Sequence, residues 1–257
     1  MSHIRLPYLA ALTASGADAG SFLQAQLTAD LTRLADQGIS WSGYCDPKGN
    51  VIALLRVARK GDAYQLIAAA SLMDTVISTL ERYRLRARVQ FLPDDEAVVG
   101  LVEGERPRYE VLSTDETAVD PDPQQLAAWR AAELRAGIAW LGPKTSGMFL
   151  PQMLGHEDIE AISFRKGCFP GQEVIARVRY LGKLKRLPLV VVVGGEHELE
   201  PASEVRLGLD DGSAGSGVVV DSATETGRTV IYLVVRDAGS APARWIETEG
   251  ERLEIAS

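Results

Sequence analysis

The chain is poor in the side chains from which proteins build disulfides and metal sites. Its 257 residues include only two cysteines and three histidines. Cys45 and Cys168 lie far apart and follow no CxxC or zinc-ligand spacing, so no disulfide framework is expected and a reducing, cytoplasmic location is favoured. Lone histidines are most often surface or hydrogen-bonded structural residues, so none of the three is assigned to a metal.

Long hydrophobic runs and an excess of positive charge are also missing. The longest apolar run, LPLVVVVG, is too short to cross a bilayer, and MSHIRLPYLAAL does not read as a signal peptide. We therefore expect no membrane segment. The formal net charge of -8 argues against a protein that coats nucleic acid or a membrane with its whole surface, so any anion site must be local.

What is present indicates a globular α+β protein with a substantial core. Hydrophobic periodicity predicts helices at residues 16–31, after Ser71, and from Pro123 to Arg135, where Asp122 is placed to cap and Gly137 to end the helix. Short apolar or β-branched runs predict strands at WSGYC, VIALLRVA, AYQLIAA, ARVQFL and AVVGLVE. This irregular interleaving suggests a mostly antiparallel sheet.

The pattern changes after Arg186. Five strand-like runs follow at short intervals with no helical stretch between them: LPLVVVVG, EVRLGL, SGVVVDSA, RTVIYLVVR and RLEIA. They predict a small antiparallel β-barrel. We place the boundary near residue 185, which gives domains of residues 1–185 and 186–257.

The segment RKGCFPGQEVIAR, residues 165–177, concentrates the chemistry of the chain. Arg165 and Lys166, if they lie near the sulfur of Cys168, would favour its thiolate, the form that acts as nucleophile or metal ligand. Free cysteine is also among the most buried residue types. From chemistry alone, Cys168 is either a working thiol or a small buried hydrophobe, whereas Cys45 is interpreted as a core residue.

The glycines and polar residues of this segment also allow two interpretations. Gly167 and Gly171 bracket the cysteine, so the backbone can turn sharply and approach a ligand or another segment closely. Gln172 and Glu173 either bind the polar edge of a ligand or bond neighbouring backbone amides.

The octet KGCFPGQE, followed by ARVRYLGKLKR, resembles the signature of the YgfZ family, folate-binding relatives of the glycine-cleavage T-protein (aminomethyltransferase). The stretches SGADAGSFLQAQLTAD, YCDPKGNV and PQMLGHEDIEAISFRKGC resemble further blocks of that family, and the barrel-like tail agrees in position and character. The resemblance implies a T-protein-like folate-binding domain of ferredoxin-like units, followed by a C-terminal barrel, around a channel that receives tetrahydrofolate.

The function that the resemblance implies is an accessory factor for assembly or repair of iron–sulfur proteins, including thiolating enzymes that modify tRNA, and not a classical enzyme. Cys168 is the family's key residue and is expected to be the reactive thiol. An iron–sulfur centre normally takes four thiolate or imidazole ligands. Cys168 is therefore expected either to bridge a transient cluster shared with a partner or to take part in transfer or redox exchange. The implied partners are folate and iron–sulfur assembly or client proteins.

The resemblance also implies which residues hold tetrahydrofolate. Trp129, in QQLAAWRAAELRAG, matches a tryptophan that lines the family's folate site, although packing with Leu126 explains it equally well. A second family tryptophan would fall near Leu9, where this chain has Tyr8 beside it. The region between residues 92 and 121 is short for the family, so the pocket is more open or is completed by another subunit. The signature adds further expected contacts: Lys166, Gly167, Gly171, Gln172, Glu173 and Arg177.

Two other functions stay open. The T-protein carries an aspartate pair on the strand after the YCDPKGNV turn, where this chain has Ala53 and Leu54, which cannot accept a proton. A folate-dependent aminomethyl or methyl transferase, or a demethylase, would need another base. Asp46 and Lys48 in that turn are also explained by simple turn chemistry. A partner-binding scaffold without folate is the other alternative.

A basic run supports the idea of a local anion site. Residues 165–186 hold seven cations against a single acid, Glu173. The run is either a solvated face or a site for a polyglutamyl folate tail, an acidic partner or tRNA phosphates. No nucleic-acid motif supports direct tRNA binding. The cations are Arg165, Lys166, Arg177, Arg179, Lys183, Lys185 and Arg186.

Overall fold

The computed structural model describes residues 3–95, 97–101, 108–112, 120–182, 184–236 and 242–256. Its helices are α1 (Ala19–Gln26), α2 (Met73–Arg84), α3 (Pro123–Arg135) and α4 (Gln172–Leu181). None of the described helices is long and apolar enough to cross a bilayer. Part of the region between residues 92 and 121, which is expected to be short, falls outside the described residues, as does Lys183 of the basic run.

Strands are more extensive than helices in the described chain, and every pairing between them is antiparallel. They are β1 (His3–Arg5), β2 (Leu9–Ser15), β3 (Ile39–Cys45), β4 (Val51–Lys60), β5 (Ala63–Ala69), β6 (Gln90–Pro93), β7 (Ala97–Leu101), β8 (Arg108–Leu112), β9 (Arg186–Gly194), β10 (Glu204–Leu209), β11 (Ala214–Glu225), β12 (Arg228–Arg236), β13 (Ala243–Thr248) and β14 (Glu251–Glu254).

The N-terminal region is built on a five-stranded sheet in the order β3-β4-β5-β2-β6, beside a small sheet in the order β1-β7-β8. Side chains alternate across the larger sheet, as the strand period of two requires. Leu12 and Leu55 face a core that includes α1 and α2, whereas Ala11 and Leu54 face a second core that includes α3. Both faces of this sheet are therefore buried, which explains the nearly continuous apolar run of β4.

The C-terminal region is a six-stranded sheet in the order β14-β13-β10-β11-β12-β9. It curls until its two edges meet at an isolated bridge between Val193 and Ile255. Leu207, Leu233 and Ile246 are among the fully buried side chains that fill its inner face. The predicted small antiparallel barrel is confirmed in this curled form.

Helix α3 joins the two regions. Its start follows the predicted signals, because the Asp122 carboxylate accepts a hydrogen bond from the Gln124 backbone N–H at 3.1 Å and proline occupies the first turn. Its outer face packs on β11 and β12, where Arg130 pairs with Asp221 at 2.6 Å. The proposed domain boundary near residue 185 lies between α4 and β9.

Helices α1 and α4 differ from the sequence-based expectation, whereas α2 follows Ser71 as predicted. Helix α1 ends at Gln26, short of residue 31, and the Asp18 carboxylate just before it accepts hydrogen bonds from the Arg88 side chain. Ser71 lies in a 3-10 turn, and α2 begins after it at Met73. Helix α4 was not predicted at all, although its sequence, QEVIARVRYL, buries Ile175 against the core.

Candidate functional site

Two of the motifs singled out in the sequence touch each other through glycines. The turn at residues 46–50 connects β3 to β4 and packs on the start of α4. A Cβ atom on Gly171 would lie 2.3 Å from the Cα of Gly49 and 2.8 Å from the carbonyl oxygen of Asp46. Both glycines have positive φ, 78° for Gly171 and 87° for Gly49. The blocks YCDPKGNV and KGCFPGQE therefore form one close contact that glycine alone permits.

Asp46 stabilises the turn at residues 46–50, which forms one side of this contact. Its Oδ1 accepts hydrogen bonds from the backbone N–H groups of Lys48 at 2.8 Å and Asn50 at 2.9 Å. An aspartate that binds backbone N–H groups further along its own chain is ordinary turn chemistry. The turn interpretation of Asp46 is thus confirmed.

Cys168 lies on the loop that enters this contact, and its side chain is exposed with a free thiol. Immediately after it, Phe169 is buried in the core shared with α1 and α2. The loop is therefore anchored beside an accessible sulfur, which excludes the small-buried-hydrophobe interpretation of Cys168. Cys45 is the buried cysteine, as predicted, and desolvation raises its pKa.

Lys166 anchors the loop on the other side of Cys168. Its Nζ donates hydrogen bonds to the carbonyl oxygens of Gln24, in the last turn of α1, and of Leu27 and Ala29, just past its end, at 2.5–2.9 Å. A cation suits this end of a helix, where carbonyl groups lack intrahelical partners. Burial lowers the pKa of Lys166 to about 8, so the amine is still mainly protonated at neutral pH. The three N–H groups of the Lys166 ammonium are therefore used to hold the loop in place and not to stabilise a thiolate at Cys168.

The remaining signature residues lie around the start of α4. A Cβ on Gly167 would meet no atom within 4 Å, so only Gly171 of the two glycines is required by close packing. The Gln172 backbone N–H donates to the carbonyl oxygen of Phe169 at 3.1 Å and starts the helix. Glu173 and Arg177 lie one turn apart and are exposed on α4.

Tyr8 and Trp129, the two aromatic residues expected at the folate site, lie together in a second cluster. With Trp41, Tyr109 and Trp140 they form a set that we call the aromatic cluster, in which ring centroids are 5.4–5.8 Å apart for the contacting pairs. Near-perpendicular ring pairs of this kind are favourable beyond the area they bury.

A buried carboxylate organises the aromatic cluster. Glu133 is only 2% exposed and accepts hydrogen bonds from the hydroxyls of Tyr8 at 2.7 Å and Tyr109 at 2.5 Å, and from the Trp140 indole N–H at 2.9 Å. Burial raises the pKa of Glu133, while these donors oppose the shift. Sequence reasoning missed Glu133. Its one signal was its place one turn after Trp129 on the same helix face.

Trp129 is 5% exposed and closely packed. Its ring lies against Gly100 of β7, where a Cβ would come within 2.7 Å, and edge-on to Tyr109. Its indole Nε1 is buried and, within the described residues, has no hydrogen-bond partner. The indole nevertheless lies close enough to the Tyr8 hydroxyl and the Glu133 carboxylate to lower the pKa of each, so this donor faces the polar centre of the aromatic cluster.

The structure does not bring all the predicted site residues into one cluster. Phe169 and Ile175, which anchor the cysteine loop and α4, belong to the core with α1 and α2. Tyr8 and Trp129 belong to the core on the other face of the five-stranded sheet. The thiol and the aromatic cluster are two separate elements of the candidate site.

The strand positions that matter for aminomethyl transfer are apolar and buried. Ala53 and Leu54 on β4 are each 1% exposed and face the two opposite cores of the sheet. Neither offers an atom that accepts a proton.

Comparison with known proteins shows which fold and which relatives this chain resembles. No protein-family model matches the chain. An uncharacterized protein of Haemophilus influenzae is 30% identical over 235 residues, which cover 86% of this chain and 83% of the relative. The tRNA-modifying protein YgfZ of Escherichia coli is 28% identical over 269 residues, covering 88% and 82%. The crystal structure of the glycine cleavage system aminomethyltransferase T from Bartonella henselae superimposes with a TM-score of 0.73 at 15% identity, covering all of this chain and 85% of that one.

The whole-chain superposition, together with the mixed helices and sheets and the curled C-terminal sheet, defines a T-protein-like α+β fold. The sequence relatives narrow the assignment within that fold. The chain belongs to the YgfZ family.

Proposed function

We propose that this protein is a cytoplasmic, tetrahydrofolate-binding accessory factor for assembly or repair of iron–sulfur proteins, including enzymes that modify tRNA. The observation that carries the proposal is the exposed thiol of Cys168, held between the anchored Lys166 and the buried Phe169. An accessible cysteine on a fixed loop suits exchange with a partner better than it suits packing. The similarity to the tRNA-modifying protein YgfZ of Escherichia coli supports a link to tRNA modification.

The side chains available as metal ligands favour an iron–sulfur cluster that is bound transiently and passed to another protein. Among the described residues, no group of three or more His, Cys, Asp or Glu side chains is placed to hold a metal ion. An iron–sulfur cluster usually takes four thiolate or imidazole ligands. Cys168 would therefore supply one ligand to a cluster whose other ligands belong to a partner, or would exchange thiols with that partner.

We propose that the folate lies against the aromatic cluster. The indole N–H of Trp129 is a buried donor that faces Tyr8 and Glu133 without a hydrogen bond of good geometry, and the carbonyl and ring nitrogens of a pteridine would offer it a better placed acceptor. Tyr8 is half-buried at the border of the cluster, with the Arg130 guanidinium 5.6 Å from its ring centroid. Glu133 fixes the Tyr8 hydroxyl and thereby positions this wall. Bound tetrahydrofolate would supply one-carbon or reduced-pterin chemistry there.

The folate part of the proposal is tested by calorimetric titration with tetrahydrofolate under reducing conditions. Trp129→Phe keeps an aromatic ring but removes the N–H, and we expect an affinity about tenfold lower, the loss of a buried hydrogen bond. Trp245→Phe in the barrel is the matched control and should bind as the wild type does. Unchanged affinity for Trp129→Phe would assign Trp129 to packing alone. No binding by the wild-type protein would favour the scaffold without folate.

The thiol part is tested in a strain whose own copy of the gene is deleted. We expect Cys168→Ala to lose iron–sulfur enzyme activity and thiolated tRNA while keeping the wild-type melting temperature, because the exposed side chain contributes little packing. Cys45→Ala removes the other, buried sulfur and should restore activity if it folds. Full complementation by Cys168→Ala would contradict the proposed role of the thiol.

A further inference from the structure

Exposed apolar side chains gather on and beside α4. Nine large apolar side chains are exposed in the described part of the chain, and four of them are Val174, Tyr180, Leu181 and Leu187. Val174 and Leu181 lie two turns apart on one face of the helix, whereas Ile175 turns another face into the core. Single exposed apolar side chains are normal in soluble proteins, but a group of them marks an interaction site.

The loop that carries Cys168 runs back along the same helix. At the end of α4, the Phe164 ring lies 6.1 Å from the Tyr180 ring. At the start of α4, the Gln172 backbone N–H donates to the carbonyl oxygen of Phe169. The loop therefore spans the length of the helix, and the exposed thiol of Cys168 lies near its start.

A recess of about 310 Å³ lies where α4 ends. Val178, Leu184, Leu187 and Pro188 form its apolar wall, and Leu187 is 47% exposed there. This volume is at the small end of the range of ligand sites. It suits a single side chain of another protein, of the kind that anchors the centre of a protein–protein interface.

The same surface is positively charged, on a chain whose formal net charge is -8. Two of its cations are held by neighbours, since Lys166 binds backbone carbonyl oxygens and Arg179 pairs with Glu157. Glu173 on α4 and Asp158 in the wall of the recess are exposed acids. Four further cations are exposed and have no ion pair among the residues that the structure describes: Arg165, Arg177, Lys185 and Arg186. These cations outnumber the two acids, so the surface attracts an acidic partner.

We propose that this surface docks the protein that exchanges with Cys168, and that this protein presents an apolar anchor side chain flanked by carboxylates. We call it the α4 surface; it consists of Val174, Arg177, Tyr180, Leu181, Lys185 and Leu187. The anchor enters the recess beside Leu187, and the carboxylates face Arg177 and Lys185. The inference rests on the proposed function, because it specifies where the partner of that function binds and what chemistry the partner has.

The apolar side chains favour a protein over other anions. An RNA backbone or a polyglutamyl tail would face the cations but would leave Val174, Leu181 and Leu187 exposed to water. Tyrosine and arginine, both present on the α4 surface, are enriched in protein–protein interfaces. A protein segment that is both apolar and acidic covers both kinds of side chain.

The test is fluorescence anisotropy of a labelled helical peptide with leucine on one face and glutamate on the other. We expect saturable binding to the wild-type protein, and binding at least tenfold weaker for the same peptide with lysine in place of glutamate. The double variant Leu181→Ser/Leu187→Ser should raise the dissociation constant at least tenfold, because the burial of even one leucine side chain contributes about tenfold in affinity or more. Thermal unfolding checks that the variant folds.

The matched control is the double variant Leu85→Ser/Leu92→Ser. Leu85 follows the end of α2 and is 88% exposed, as Leu181 ends α4 and is 85% exposed. Leu92 on β6 is 56% exposed and matches Leu187 on β9. The control removes as much exposed apolar surface and should change the dissociation constant less than about twofold.

A second arm measures complementation in the deletion strain. Leu181→Ser/Leu187→Ser should lose iron–sulfur enzyme activity while Cys168 still reacts with a disulfide reagent, because the thiol is intact but the partner no longer docks. Full complementation by this variant, beside failure of Cys168→Ala, would contradict the docking surface and leave the proposed function in place. Full complementation by Cys168→Ala, beside failure of Leu181→Ser/Leu187→Ser, would contradict the thiol function and support the surface.

The peptide arm does not depend on the thiol, so Cys168→Ala should bind the glutamate peptide within about twofold of the wild type. The proposal is overturned if the wild type does not bind the glutamate peptide or binds the lysine peptide as tightly. It is also overturned if Leu181→Ser/Leu187→Ser binds like the wild type, or if Leu85→Ser/Leu92→Ser loses as much affinity.

Discussion

Replacing Gly171 by alanine tests the contact between the two glycine motifs directly. The added Cβ would lie 2.3 Å from the Cα and 2.5 Å from the backbone nitrogen of Gly49. Neither atom belongs to a side chain that could rotate away. Gly171 also has a φ of 78°, a conformation that an L-residue adopts only with strain. The substitution must therefore displace either the turn at residues 46–50 or the start of α4.

The expected size of the effect follows from these two costs. The left-handed conformation costs an alanine about 1 kcal/mol relative to glycine. Overpacking of a close contact adds about 1–3 kcal/mol. Gly171→Ala should therefore lower the free energy of unfolding by about 3 kcal/mol, equivalent to a fall in melting temperature of roughly 10 °C for a chain of this length.

Gly167→Ala is the matched control, because Gly167 flanks Cys168 on the other side and a Cβ there meets no atom within 4 Å. We expect it to change the free energy of unfolding by less than about 0.5 kcal/mol. Thermal and urea unfolding of both variants beside the wild type measure the difference. Equal midpoints for Gly167→Ala and Gly171→Ala would refute the reasoning, since they would show that the contact with Gly49 relaxes at no cost.

Two further predictions follow from burial. A disulfide reagent should titrate one thiol in the native protein, Cys168, and a second, Cys45, only after unfolding; rapid native reaction of two thiols, or of none, would contradict this. Burial lowers the pKa of His156 to about 4. Between pH 6.5 and 4 the unfolded chain therefore binds a proton that the folded chain excludes, so stability falls as pH falls, by about 1.4 kcal/mol per pH unit from this residue. Urea unfolding from pH 7 to pH 5 should show a shallower decline for His156→Leu, and parallel declines would refute it.

Much of the fold could be predicted because its signals are local. The strand AYQLIAA and the helix from Pro123 to Arg135 have the predicted bounds, since turn residues, a capping aspartate and a proline mark their ends. The barrel was predictable for the same reason, as most of its strands are separated by short turns. The strand β13 was missed because only one side chain of ARWIET, Ile246, is buried. A single buried position gives no alternating pattern in the sequence.

The candidate site was less predictable because it depends on contacts between distant segments. Nothing in the local sequence distinguishes Gly171 from Gly167. A Cβ atom would collide with Gly49 at Gly171 but would meet no atom within 4 Å at Gly167. Lys166 belongs to a basic run and gave no sign that its amine would bind the carbonyl oxygens after α1. Glu133 is an ordinary surface residue by its sequence, and only the fold surrounds it with aromatic donors.

Helix α3 connects the proposed folate site to the C-terminal sheet. One face carries Trp129 and Glu133 into the aromatic cluster. The other face carries Arg130, whose guanidinium lies near the Tyr8 ring and also pairs with Asp221 on β11. Burial raises the pKa of Asp221, while Arg130 opposes the shift. Removing either partner would leave the other charge unpaired and would therefore destabilise the contact between α3 and β11. A ligand that reorients Trp129 must therefore act on a helix that is ion-paired with β11 of the C-terminal sheet.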